Sequence, residues 1–85
     1  MPWSILWTDQ ALRDMSRIDP PVARRILAKI EETTTSPLRF FSRLVMSDEY
    51  KLRVGDYRLL AALDTASQTI LVERVDHRSR VYGRR

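Results

Sequence analysis

Eighty-five residues, 44% apolar and 31% charged, suffice for one domain (1–85) with a small core and are too apolar for a disordered chain. With no cysteine and one histidine, the sequence excludes a disulfide framework and cysteine- or histidine-based zinc sites, so neither metal nor cofactor is expected; no run reaches the roughly 20 apolar residues of a membrane span, and the N-terminus does not read as an export signal, so the cytoplasm is the expected location. Residues 1–38 carry five basic and five acidic side chains and residues 39–85 carry ten and six, so the whole net charge of +4 sits in the C-terminal half, and the prevalence of arginine favours planar contact with phosphate or carboxylate.

The run WSILW (3–7) predicts a short strand. Thr8 is placed to cap a helix in which Leu12, Met15 and Ile18 recur at helical spacing, with Asp9 in the first turn. Asp19 is placed to cap a second helix opened by Pro20 and Pro21, residues tolerated where the N–H has no helical partner, with Val22, Ile26, Leu27 and Ile30 as its apolar stripe. Thr33–Thr35 and Ser36-Pro37 end it. Residues 38–49 read as a loop leading toward a strand, with Phe40, Phe41 and Leu44 filling core.

From Tyr50 the period changes to two: YKLRV (50–54), a Gly55-Asp56 break suited to a type II′ turn, then YRLLAAL (57–63). A turn at 64–68 leads to a last strand, 69–75. The order β-α-α-β-β-β predicts an α+β fold, an antiparallel sheet of about four strands packed against an N-terminal helical hairpin.

If Gly55 and Asp56 form the turn, Val54 pairs with Tyr57 and Arg53 stands opposite Arg58, with Lys51 on the same face. Like charges directly opposite destabilise a hairpin unless solvent or an anion lies between them. The segment DHRSRVY (76–82) follows the last strand and is expected to complete this face. An arginine-rich face with a tyrosine and an imidazole suits a phosphodiester: arginines hold the phosphate and a tyrosine stacks on a base. Each residue also has a plainer role open to it: His77 and Tyr82 can serve packing, Arg84 and Arg85 can be a solvated end, and Trp3 and Trp7 fit core or partner contact.

The stretch YKLRVGDYRLLAALD…ILVERVDHRSRVYGR resembles the C-terminal half of the RelE/ParE toxin superfamily, in particular its RelE-type messenger-RNA endoribonucleases, and TDQALRDMSRIDPPVARRILAKI fits that family's helical hairpin. The resemblance implies a metal-independent ribonuclease that enters the A site of the 70S ribosome, where the ribose 2′-OH of the mRNA attacks the adjacent phosphate. It implies that Lys51 and Arg53 contact the phosphate and assist removal of the 2′ proton, that Arg58 stabilises the transition state, that Arg78 acts at the leaving oxygen, and that Tyr82 stacks on or orients the nucleotide. Arg80, Arg84 and Arg85 are the expected contacts to RNA. Where some members have two lysines this chain has Lys51 and Arg53; since arginine rarely loses its proton, the base would be Lys51 or His77. The same fold is shared by ParE-type toxins that inhibit DNA gyrase. The family further implies a small cognate antitoxin, a free monomer and a toxin–antitoxin hetero-oligomer, with the apolar stripe of the hairpin and strand 3–7 as the expected docking surfaces.

Overall fold

The structure, a computed structural model, describes residues 2–77. Its elements are β1 (Ser4–Trp7), α1 (Asp9–Ser16), α2 (Pro20–Glu32), a 3₁₀ turn (Thr33–Thr35), the single-turn helix α3 (Pro37–Phe40), β2 (Ser42–Arg43), β3 (Tyr50–Val54), β4 (Tyr57–Asp64) and β5 (Thr69–His77). The strands form one five-stranded sheet in the order β1-β5-β4-β3-β2. The expected α+β sandwich is present with two differences. Residues 38–49 hold a helical turn and the two-residue strand β2, which supplies the fifth strand, and β1 joins the far edge parallel to β5 rather than antiparallel.

Thr8 performs two tasks at the first strand–helix junction. Its hydroxyl accepts the Ala11 N–H at 3.0 Å, capping α1, and donates to the Glu73 carbonyl at 3.0 Å, tying the cap to β5. Asp19 occupies the cap position of α2 but makes no side-chain cap bond; Pro20 and Pro21 remove two of the N–H donors of the first turn. At the other end of α2, the fully buried Thr33 donates its hydroxyl to the Ile30 carbonyl, and Trp3 N–H bonds Thr34 O at 2.8 Å.

The core lies between the helices and one face of the sheet. Ala11, Ile18, Ile26 and Ile30 meet Leu52, Val54, Leu59, Ala61, Ile70, Val72 and Val75, with Phe41 closing one side and Trp3 and Trp7 packed against the cluster. Ile26 and Ile30 are wholly buried, so most of the apolar stripe of α2 is consumed by the protein's own core and is not a docking surface; Leu27 is the stripe residue left exposed.

A bulge explains why β5 breaks strict alternation. Leu60 pairs with Arg74 and Ala61 with Val72, leaving Glu73 as the extra residue, so Val72 and Val75 both point into the core. Beyond the last residue of β1 the edge of β5 is taken over by α1. The Asp14 carboxylate accepts the Val75 N–H at 2.9 Å and Arg74 Nε at 3.0 Å, while Gln10 Nε2 donates to its other oxygen at 2.9 Å. Burial alone would raise the Asp14 carboxyl, but these donors outweigh it and hold it below the ordinary carboxylate range. A carboxyl depressed in the fold contributes stability that is present above its unfolded value of about 4 and is lost as pH falls through the folded value. Asp14→Ala should therefore cost about 1.5–3 kcal/mol at pH 7, measured by urea unfolding, with the difference from wild type shrinking as the medium is acidified below pH 4.

Candidate functional site

The β3–β4 hairpin has the expected register: Val54 opposite Tyr57, Arg53 opposite Arg58 and Lys51 opposite Leu60. Gly55 takes φ +59° and Asp56 has no positive φ, the pattern of a type II′ turn. In a two-residue hairpin the residues flanking the turn exchange hydrogen bonds, so Arg53 and Arg58 form a non-hydrogen-bonded pair, the closer kind, with Cα atoms about 4.5 Å apart. Alternation turns Leu52, Val54 and Leu59 to the core and Lys51, Arg53 and Arg58 to the face away from the helices.

These three cations differ in setting. Lys51 is half-buried between Ser42 and Leu60, and Arg53 is exposed, its Nε donating to Gly55 O at 3.1 Å across the hairpin end. Arg58 is only 7% exposed, and Asp76, 8% exposed, stands directly opposite it on β5. Asp76 Oδ1 accepts the His77 N–H at 2.9 Å, and Oδ2 lies 3.7 Å from Arg74 Nη2.

His77 falls elsewhere. It pairs with Tyr57, and alternation sends both to the face opposite Arg58, where the two rings meet edge to face at 5.3 Å between centroids. Both rings line a cleft of about 310 Å³ at the sheet edge beside the end of α1, together with Asp14, Arg17, Arg74 and Asp76. Arg78, Arg80, Tyr82, Arg84 and Arg85 lie outside the described residues.

Three features of this region were not singled out in the sequence. Asp76 and Arg74 form the acidic and basic flank of Arg58, for which the alternation of β5 beyond its bulge was the needed signal. Arg25 and Lys29 on α2 line a groove of about 420 Å³ with Arg53, Gly55 and Glu32, the last paired with Lys29 at 3.6 Å. Glu73, the bulge residue, has its carboxyl raised by burial and by the hydrogen bond and charge of Glu49. A carboxyl raised in the fold favours folding at pH values below its unfolded value and loses that contribution as pH rises through the folded one. Glu73→Gln is thus expected to raise the melting temperature at pH 7 and to give no gain at pH 4, as thermal unfolding at the two pH values will show.

The model of the ParE toxin of type II toxin–antitoxin systems matches residues 5–82. Toxin RelG of Mycobacterium tuberculosis is 34% identical over 91 residues, covering 99% of this chain and all of the relative. The chain belongs to the RelE/ParE toxin superfamily. It is a toxin of the type II toxin–antitoxin kind, similar along its whole length to a RelE-type relative. The toxin–antitoxin complex RelBE2 of M. tuberculosis contains a chain with 28% identity and a TM-score of 0.82, covering 92% of this toxin and all of that chain. The isolated E. coli RelE toxin has the same fold at 24% identity and a TM-score of 0.76, covering 95% of this chain and 92% of that one. Among the described residues of this toxin no helix is long and apolar enough to cross a membrane.

Proposed function

We propose that this toxin is a ribosome-dependent endoribonuclease that cleaves mRNA in the A site and so stops translation. The observation that carries the reading is the Arg53–Arg58 pair: two arginines directly opposite in the closer kind of strand pair, with Lys51 two residues along, an arrangement unfavourable for folding and useful for holding a phosphate. In the reaction the ribose 2′ oxygen bonds to phosphorus and the bond from phosphorus to the 5′ oxygen breaks. The products are a 2′,3′-cyclic phosphate and a 5′-hydroxyl. Arg53 and Arg58 stabilise the charge gathering on the phosphoryl oxygens. Of the cations on this face Lys51 is the one chemically able to give up its proton, so it takes the proton from the 2′-OH; His77 lies on the other face. The 5′ oxygen receives a proton as it leaves. On the sequence motif alone, Arg78 acts at that oxygen, Tyr82 stacks on the nucleotide, and Arg80, Arg84 and Arg85 contact RNA.

The partner in the cell is a small cognate antitoxin, as in the RelBE complexes of the solved relatives. Leu6, Leu12 and Leu27, exposed around the outer edge of β1 and the helices, are the apolar positions it would cover. Free toxin is monomeric and the complex is a hetero-oligomer.

The test is primer extension on an mRNA in a translating extract with purified toxin and with Arg53→Ala. Removing one of two opposed arginines is expected to leave unfolding stability unchanged or a few tenths of a kcal/mol higher, yet to reduce ribosome-positioned cutting by about a hundredfold. If folded wild-type toxin makes no cuts while translation proceeds, the reading falls and inhibition of gyrase supercoiling is the next assay.

A further inference from the structure

Between α2 and the end of the β3–β4 hairpin runs a groove of about 420 Å³, lined by Arg25, Ala28, Lys29 and Glu32 on one wall and by Arg53 and Gly55 on the other. Spacings of three and four residues put the four helix positions on one face of α2. Ala28 is short, and a carbon added at Gly55 would meet nothing within 4 Å, so the space between the long side chains stays open. We infer that this groove holds a backbone phosphate of RNA, a second phosphate position beside the one proposed on the arginine face. The inference rests on the ribonuclease reading.

Three cations and one carboxylate line the groove, and the cations are not equally engaged. Lys29 pairs with Glu32 at 3.6 Å and lies 5.3 Å from the centre of the Phe40 ring. Arg25 is exposed and makes no ion pair among the described residues, so its planar donor fork is available to a phosphate. Arg53 links the groove to the arginine face. Its Nε donates to Gly55 O at 3.1 Å, which draws the guanidinium toward the hairpin end, so the arginine that alternation assigns to the outer face also borders the groove. An RNA strand whose scissile phosphate lies between Arg53 and Arg58 thus meets Arg25 and Lys29 where it passes round the hairpin end. A strand of ribosomal RNA carries the same phosphates and would use the same cations. Contacts of this kind hold a strand in position without reading its bases, and they make binding salt-dependent. Glu32 opposes an anion in the groove, which gives the inference a test of opposite sign.

The experiment compares neighbours in sequence that carry the same charge, in full-length toxin shown to be folded by circular dichroism. Binding is read by fluorescence anisotropy with a single-stranded RNA oligonucleotide and by co-sedimentation with ribosomes free of mRNA. Arg25→Ala should weaken binding by about three- to tenfold and flatten the slope of log K against log salt by about 0.7, the loss of one phosphate contact to a single strand. Arg24→Ala, next to it but outside the groove, should change affinity by less than about 1.5-fold. Glu32→Gln should tighten binding by about two- to fivefold, and Glu31→Gln, also outside the groove, should not. Weakening with the oligonucleotide assigns the phosphate to the message, and weakening with ribosomes alone assigns it to ribosomal RNA; either result supports the groove. In primer extension on translating ribosomes Arg25→Ala should raise KM and keep kcat within about twofold, because the groove touches no reacting bond. The inference is overturned if Arg25→Ala binds both RNAs like wild type, if Arg24→Ala loses as much, or if Glu32→Gln weakens binding. A wild-type toxin that binds neither RNA and cuts nothing defeats the ribonuclease reading and this inference with it, whereas a toxin that cuts regardless of Arg25 and Glu32 defeats the inference alone.

Discussion

Replacing Arg58 by alanine should abolish ribosome-positioned cutting, with a loss of at least about a hundredfold, and should also destabilise the chain by about 1–3 kcal/mol. The two effects have one source. Arg58 is buried, so truncation removes both the donor fork offered to the phosphate and the packing of its long stem. Arg53→Ala differs: Arg53 is exposed, its neighbour across the strand is another arginine, and its loss harms activity alone. Arg58→Lys keeps the charge but not the planar fork, and should recover much of the stability and little of the rate. Denaturant unfolding beside primer extension separates these outcomes. An Arg58→Ala toxin that unfolds like wild type would show that the buried stem of Arg58 carries no stability, and one that still cuts would remove Arg58 from the chemistry.

The hairpin was legible in the sequence because its determinants are local. Alternation from Tyr50, a glycine able to adopt φ +59° at the turn and a two-residue loop together fix which residues oppose, and Arg53 does face Arg58. The helices were legible for the same reason, through Thr8, the proline pair and the apolar spacing of α2. What the sequence did not reveal depends on contacts distant along the chain. β2 is two residues long and exists only because β3 is beside it, and the parallel union of β1 with β5 joins segments more than sixty residues apart. The bulge at Glu73 shifts the phase of β5, which is why Asp76 reaches the face of Arg58 while His77 joins Tyr57 on the other side. Asp76 and His77 are adjacent in sequence and suggest one site; on a strand, neighbours point apart. The stripe of α2 was similarly ambiguous, since an apolar helix face looks the same whether it meets a partner or the chain's own sheet, and here Ile26 and Ile30 meet the sheet.

Leu59→Ala should lower unfolding free energy by about 2–5 kcal/mol, toward the upper end of that range. Leu59 has no exposed surface, lies in β4 with β3 and β5 on either side, and stands opposite Leu52 and Val75, both buried. Neighbouring strands on both sides keep the backbone from collapsing into the space a smaller residue leaves, so the void and its lost contacts persist. Set against the total of about 5–10 kcal/mol expected of a domain this small, that loss brings the toxin near its unfolding threshold at 37 °C. Leu59 also adjoins Arg58 in sequence while pointing to the opposite face, so it distinguishes the scaffold from the site. At 15 °C, where the variant is expected to be folded, its cutting rate should stay within about threefold of wild type, because the core face carries none of the proposed phosphate contacts. Loss of cutting by Leu59→Ala at a temperature where circular dichroism shows it folded would mean that the arginine face tolerates much less movement of β4 than the hairpin geometry suggests. In that case the rigidity of the central strand, and not the placement of Arg58 alone, would set the rate.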